Sequence, residues 1–224
     1  YCLAIIGCGN MGEALLKGII DSKVLDRSSI VIYDRDKIRL KFIQATYSVK
    51  ISGSLAEAAE AKNILLAIKP QNLQDFVEEI KSCSVEGKSI ISILAGISTR
   101  YFEQKLGEIA VIRVMPNTPA LVKKGVFIVS RGRYAGPHDL AFARQITAGL
   151  GETVVIDEKY QNLATALSGS GPAYFFQFCK YLIDAAAERG MDKKTAKKLV
   201  ISTMEGSALL VKESSKDLEQ LIAM

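Results

Sequence analysis

Histidine is almost missing from this chain: His138 is the only one among 224 residues. A Ser-His-Asp relay and a histidine-bearing metal cluster are therefore poor readings, and no paired-acid site or metal set stands out instead. His138 itself sits beside Asp139 in the first turn of a helix opened by Pro137, a surface or capping position. Cysteine is sparse and scattered. Cys2, Cys8, Cys83 and Cys179 form no C-x-x-C pair, which removes a thiolate metal site and points to reduced thiols inside the cell. No apolar run approaches the ~18 residues of a membrane span, and no charged-then-apolar leader precedes the first strand. A cytoplasmic protein that does not engage a membrane is the expectation. The net charge of +5 is modest, and its densest cluster, Lys193, Lys194, Lys197 and Lys198, falls on one helix face and reads as solvated. Aromatics are not interleaved with these lysines as base stacking would need, so no nucleic-acid partner is expected.

What is present is a globular composition, 49% hydrophobic and 24% charged, in a chain long enough for one large domain or two unequal ones. The opening run Leu3-Ala4-Ile5-Ile6-Gly7-Cys8-Gly9-Asn10-Met11-Gly12-Glu13-Ala14-Leu15-Leu16 carries an apolar strand into G-x-G-x-x-G and then into an amphipathic segment. Each glycine has a task. Gly7 permits the tight turn, Gly9 lets backbone approach a pyrophosphate, and Gly12 lets the helix pack closely on the strand. Amides and the positive dipole end at the helix start then hold phosphates. In this strand-to-helix context the motif reads as a dinucleotide site.

Strand and helix patterns alternate from there. Helices are expected at residues 11–21, 36–46 and 55–61, with strands at 29–34, 49–51, 63–68, 89–94 and 110–114. Short β-branched runs between helices argue for a parallel sheet covered on both faces. Residues 126–130 and 153–156 read as later strands, separated by the helix that Pro137 begins. After Asp157 the strand patterns stop. Pro172 begins a helix ending near Gly190, Asp192 caps another that runs to about Glu213, and residues 216–224 are helix-like. The expected architecture is thus α/β: a Rossmann-type dinucleotide-binding domain over residues 1–157, then an all-helical domain over 158–224. About 65 helical residues bury too little core alone, so a homodimer through these helices is expected. Both chain ends break off abruptly in their patterns, and further residues are expected on each side.

Asp34 closes the second strand, where an acid accepts hydrogen bonds from adenosine ribose hydroxyls and favours NAD; the adjacent Arg35 suits a 2′-phosphate instead. Both signals stand, and the cofactor choice stays open. The turns at Ala67-Ile68-Lys69-Pro70-Gln71 and Leu94-Ala95-Gly96 follow strands near the sheet centre, on the side where ligands of open α/β sheets gather. Arg113-Val114-Met115-Pro116-Asn117-Thr118-Pro119-Ala120 is a stiff turn after a strand. Ser168-Gly169-Ser170-Gly171-Pro172-Ala173-Tyr174 reads as a small-residue turn whose amides and hydroxyls suit a carboxylate. No catalytic side chain can be named, which fits hydride transfer, where the cofactor carries the reaction.

Taken together, IIGCGNMGEAL, LLAIKPQ, SILAGIS, RVMPNTPALV and LSGSGPAYFF resemble the pyrroline-5-carboxylate reductases. The resemblance implies reduction of the C=N bond of 1-pyrroline-5-carboxylate to L-proline with NADP(H), or NAD(H), and a C-terminal dimerisation domain in a homodimer or a larger assembly of dimers. Carried over, Ile6, Gly7, Gly9, Asn10, Met11 and Gly12 would bind the pyrophosphate. Asp34 and Arg35 would meet the adenosine end, and Ala67, Lys69, Pro70, Ala95 and Gly96 would contact the cofactor deeper in. Asn117, Ser168, Ser170 and Gly171 would lie near the substrate. In that family a serine-proline-glycine-glycine-threonine loop follows the helix that starts near Lys216, so the carboxylate-binding loop is expected beyond Met224. The rival readings are another imine reductase or a β-hydroxyacid dehydrogenase of the same architecture, although YFFQFCKYLID around Lys180 reads as packing and lacks the hydroxyacid family's pattern, and a non-catalytic dinucleotide sensor.

Overall fold

Four consecutive apolar residues, Leu3–Ile6, suit a strand only where both sheet faces are covered, and all four are buried in β1. The computed structural model describes residues 1–224. β1 pairs in parallel with β2 (Ile30–Tyr33) on one side and β4 (Asn63–Leu66) on the other, placing Ile6 between Tyr33 and Leu66. β3 (Lys50–Ile51) extends the sheet beyond β2, while β5 (Ser89–Ser92) and β6 (Ala110–Met115) extend it beyond β4, all in parallel. Between these strands run α1 (Asn10–Asp21), α2 (Lys37–Tyr47), α3 (Leu55–Ala58), α4 (Leu73–Ile80) and α5 (Thr99–Leu106). The strand order 3-2-1-4-5-6 is that of a doubly wound dinucleotide-binding fold, and it reverses direction between β1 and β4. Leu15, Leu16, Ile19, Ile43, Phe127 and Phe142 fill one apolar layer. Leu55, Leu73, Phe76, Val77, Ile80 and Phe102 fill another.

The sheet departs from the all-parallel expectation after β6. β7 (Gly125–Arg131) pairs antiparallel to β6, with Arg113 opposite Ser130, and β8 (Gly151–Val155) pairs parallel to β7 across α6 (Pro137–Thr147). The link at residues 116–124 is shorter than the roughly dozen residues a parallel crossover needs, so the chain returns antiparallel.

The chain divides by its contacts into Tyr1–Ser170 and Gly171–Met224. Residues 158–170 therefore stay with the sheet, beyond the division after Asp157 read from the sequence. A polar strap accounts for this. Gln161 is fully buried and its Nε2 donates to the Ile128 carbonyl (3.2 Å) and Ser130 Oγ (3.0 Å). The buried Arg113 reaches Asn162 Oδ1 at 3.0 Å and Glu158 Oε1 at 3.4 Å. Glu158 also accepts from the Thr99 amide (2.8 Å) and hydroxyl (2.6 Å). The strap leads into α7 (Gln161–Ala164) and then a single wide turn, Thr165–Gly169, closed by the Ser170 amide donating to the Thr165 carbonyl at 2.9 Å. The open loop expected at Ser168-Gly169-Ser170-Gly171 is thus helical. Gly169 permits it, since a Cβ there would lie 3.1 Å from Thr165 Cγ2 and 3.2 Å from Met115 Cε.

The second unit is helical throughout: α8 (Gly171–Glu188), α9 (Lys193–Glu213) and α10 (Leu218–Ile222). Asp192 caps α9 by accepting from the Thr195 amide at 2.9 Å, and Asp217 caps α10 with Gln220 answering in a reciprocal box. Little of this unit is buried. Tyr174, Phe175, Phe176, Phe178 and Tyr181 on α8 and Leu199, Leu209 and Leu210 on α9 are exposed.

Removing Glu158 strands the Arg113 guanidinium in a buried setting. Glu158→Ala should destabilise the chain by about 2–3 kcal/mol, less than a fully buried pair because the Glu158 side chain keeps 24% exposure. Thermal unfolding should show a midpoint lowered by roughly 4–10 °C; an unchanged midpoint would show that the strap carries no stability.

Candidate functional site

The site begins where β1 ends. The Gly7 amide donates to the Tyr33 carbonyl and the Ala67 amide donates to the Ile6 carbonyl, both at 2.8 Å, so the last residue of β1 is held on both sides. The chain then leaves the sheet through Gly7 at φ +96°, a conformation L side chains rarely adopt. A Cβ on Gly7 would stand 2.6 Å from the Ala67 carbonyl oxygen, and one on Gly12 would stand 2.2 Å from the Gly7 carbonyl oxygen. Both glycines are required by contact within the protein. Gly9 differs. It is exposed, precedes α1 in extended conformation, and a Cβ there would meet nothing within 4 Å. Open space is kept above Gly9, and no side chain caps the first turn of α1. Those amides point where an anion is stabilised by hydrogen bonds and the helix dipole.

A cleft of about 440 Å³ lies over this loop, within the roughly 300–1,000 Å³ typical of small-molecule sites. Ile6, Gly7, Gly9, Asp34, Arg35, Ala67 and Lys69 line it, so seven of the residues proposed from sequence meet around one cavity. Tyr33, Ile68 and Phe76 add apolar wall, and Asp36, Arg39 and Asn72 add polar groups. Asp34 is tied to the loop: Oδ2 accepts from the Cys8 amide at 2.6 Å and Oδ1 from the Asp36 amide at 2.9 Å. Asp36 in turn caps α2, accepting from the Ile38 and Arg39 amides at 2.9 and 3.0 Å. Arg39 closes the clamp from the other side. Its Nε donates to the Cys8 carbonyl at 2.6 Å and its guanidinium pairs with Glu13, which also accepts from the Tyr47 hydroxyl at 2.7 Å. The Cys8 peptide is thus gripped at both its amide and its carbonyl. Arg35 pairs with Asp75 at 2.7 Å, and Lys69 makes no ion pair.

The remaining sequence candidates stand elsewhere. Asn10, Met11 and the buried Gly12 form the first turn of α1, and Pro70 starts a short turn after Lys69. Ala95 and Gly96 follow β5 and are exposed, with Gly96 at φ +77°. Asn117 is buried and fully engaged: Nδ2 donates to the Ser168 carbonyl and hydroxyl at 3.2 Å each, while Oδ1 accepts from the Val126 amide at 2.9 Å. It ties the residue 165–169 turn to the start of β7. Ser170 ends that turn, and Gly171 opens the second unit. Sequence reading missed Arg39, Asn72 and Phe76. The last two lie at or in α4, whose signal was present: Leu73, Phe76, Val77 and Ile80 recur at helical spacing directly after Lys69-Pro70.

Burial pushes the Cys8 thiol up to about 12, and the neighbouring Asp34 charge adds to the shift. The thiolate is the reactive form, so Cys8 is chemically silent and serves as a small spacer between the glycines. Iodoacetamide at pH 8 should label the half-buried Cys2 and Cys83 and spare the buried Cys8 and Cys179. Peptide mass spectrometry reads this directly; rapid modification of Cys8 in the folded protein would contradict the assigned burial.

Comparison with known proteins joins this geometry to a family. The family model described as pyrroline-5-carboxylate reductase dimerisation matches residues 158–224, and one described as NADP oxidoreductase coenzyme F420-dependent matches residues 2–96. A pyrroline-5-carboxylate reductase of Synechocystis is 34% identical over 98% of this chain and 82% of its own length. One of Methanosarcina acetivorans is 35% identical over 95% of this chain and 79% of its own. Among solved structures, the pyrroline-5-carboxylate reductase of Coxiella burnetii superposes with a TM-score of 0.90 at 29% identity, covering 99% of this chain and 83% of that one. That of Plasmodium falciparum, solved with NADP bound, superposes with a TM-score of 0.87 at 32% identity, covering 98% and 81%. With relatives above 30% identity aligned over nearly its whole length, and the strand order and glycine loop in place, the chain belongs to the pyrroline-5-carboxylate reductase family.

Proposed function

We propose that this chain performs the reaction its family is named for: reduction of the C=N bond of 1-pyrroline-5-carboxylate to L-proline with NADP(H) as hydride carrier. The observation that carries the reading is the near full-length relationship to pyrroline-5-carboxylate reductases, joined to a cleft over a glycine loop with open space at Gly9. When bound, the nicotinamide supplies the hydride that adds to the imine carbon. The chain's own residues bind and orient. The first-turn amides of α1, with Asn10, Met11 and Gly12, hold the pyrophosphate beside Gly7 and Gly9, and the clamp from Asp34 and Arg39 on the Cys8 peptide fixes that loop in advance of binding. Preorganisation of this kind spares the ordering cost on association. Tyr33, Ile68 and Phe76 supply apolar wall for the adenine end, and Ala67 and Lys69 continue the cleft. Pro70, Ala95 and Gly96, outside the cleft lining, are assigned to the nicotinamide side by the family relationship alone.

On the substrate side we keep Asn117, Ser168, Ser170 and Gly171. Asn117 acts by holding Ser168 in place, since its amide has both donors on that residue. In functional terms residues 1–157 serve the nucleotide and contribute Asn117 to the substrate side, and residues 158–224 serve substrate binding and assembly. The exposed aromatic side of α8, with Tyr174 at 59% and Phe176 at 62% exposure, supports cover by a second copy of the chain, as a homodimer or a larger assembly of dimers. No helix is long and apolar enough to cross a membrane. A cytoplasmic place of action belongs to the same proposal.

The test is oxidation of NADPH and NADH, followed at the nicotinamide absorbance, with 1-pyrroline-5-carboxylate as substrate. Turnover to proline is expected, and cofactor binding without turnover of this imine would overturn the reading. Gly9→Leu separates binding from folding. A Cβ there meets no heavy atom within 4 Å and Gly9 is exposed, so the unfolding midpoint should be unchanged, while NADPH affinity should fall at least ~100-fold, or about 2.7 kcal/mol. Retained affinity would place the pyrophosphate elsewhere.

A further inference from the structure

Arg35 stands apart from the other groups at the end of β2. Asp34 and Arg39 are committed to the Cys8 peptide, and Asp36 to the cap of α2. Arg35 instead reaches away to α4, where Nη1 lies 2.7 Å from Asp75 Oδ2 and Nη2 lies 3.6 Å from Glu79 Oε2. The two carboxylates are one helical turn apart on the exposed face of α4, opposite the core residues Leu73, Phe76, Val77 and Ile80. Like charges at that spacing repel, and the guanidinium between them relieves the repulsion. The side chains of Arg35, Asp75 and Glu79 keep 51%, 60% and 42% exposure, so water screens the pairs and each holds Arg35 only weakly.

Given the dinucleotide reading above, on which this inference rests, the adenosine ribose lies against Asp34 and Arg35. A 2′-hydroxyl there can donate to Asp34 and has no need of Arg35. A 2′-phosphate needs the guanidinium fork, and it must take that fork from Asp75 and Glu79. We propose that Asp75 and Glu79 are specificity-determining residues for the nucleotide. By competing for Arg35, they hold the preference for 2′-phosphorylated nucleotides below what Arg35 alone would give. The choice between NADPH and NADH is therefore set on α4 as well as in the two residues after β2.

The experiment uses the full chain and two probes that carry no nicotinamide: adenosine 2′,5′-bisphosphate and AMP, titrated by calorimetry. In Asp75→Asn/Glu79→Gln, affinity for the bisphosphate should rise about tenfold while that for AMP stays level, a change of about 1.4 kcal/mol in the difference. The gain should shrink at ~0.5 M salt, where exposed charges are screened. The ratio of KM for NADPH to KM for NADH should fall in step. Adding Arg35→Ala to the double variant should abolish the gain. An unchanged ratio of the two dissociation constants in the double variant would overturn the proposal, as would a gain that survives loss of Arg35. Failure of the unaltered chain to bind either probe would overturn the dinucleotide reading itself, and is distinguishable from both.

Discussion

The close approach of two backbones at the ends of β1 and β4 governs the rest of this molecule. Ile6 and Ala67 are joined by a 2.8 Å hydrogen bond, and the next residue, Gly7, turns out of the sheet so near Ala67 that no side chain fits between them. From that crossing α1 starts directly over the carbonyl of Gly7, which Gly12 allows. The strand order reverses at the same place, so α1 and α4 diverge and leave the cleft. Bulk at Gly7 or Gly12 would push these elements apart, whereas bulk at Gly9 would fill only the space held for a ligand. One motif thus contains two structural glycines and one functional glycine.

The loop is fixed by charge as well as by shape. Asp34 holds the Cys8 amide, Arg39 holds its carbonyl, and Glu13 with Tyr47 steadies Arg39. The Tyr47 hydroxyl is pushed up to about 12 by burial and by the adjoining Glu13 carboxylate, so it stays a donor at any physiological pH. This clamp lets an exposed loop keep its amides in position without a ligand, while Arg35 beside it remains only loosely held. Rigid and adjustable charges sit one residue apart.

Much of this was legible in the sequence, because local patterns determine it. The glycine run, the β-branched strands and the acid at Asp34 each follow from short-range chemistry, and every strand expected from residues 1–156 is present within a few residues. Arg39 was invisible because its role depends on α2 returning to the Cys8 carbonyl, a contact between residues far apart in sequence. The antiparallel turn into β7 is set by the length of the link before it and not by any pattern within the strand, and α4 shows only in the spacing of Leu73, Phe76, Val77 and Ile80. Asp34 looked like a ribose ligand alone; in the fold it also ties down the loop. The run at residues 168–171 looked like an open turn since its small residues suit one, yet the same small size admits a wide helical turn against Met115. Long-range partners, rather than element types, were what the sequence concealed.

Hydrogen exchange of the full chain with and without NADPH, resolved by peptide or by residue, tests most directly whether this crossing forms the nucleotide platform. Protection on binding should concentrate at residues 7–13 and 67–70, with smaller changes at 34–36 and in the α4 segment. The Cys8 amide should already be slow without ligand, because Asp34 holds it. Protection confined to other parts of the sheet, or a fast Cys8 amide in the ligand-free chain, would contradict a glycine loop built in advance by the β1–β4 crossing.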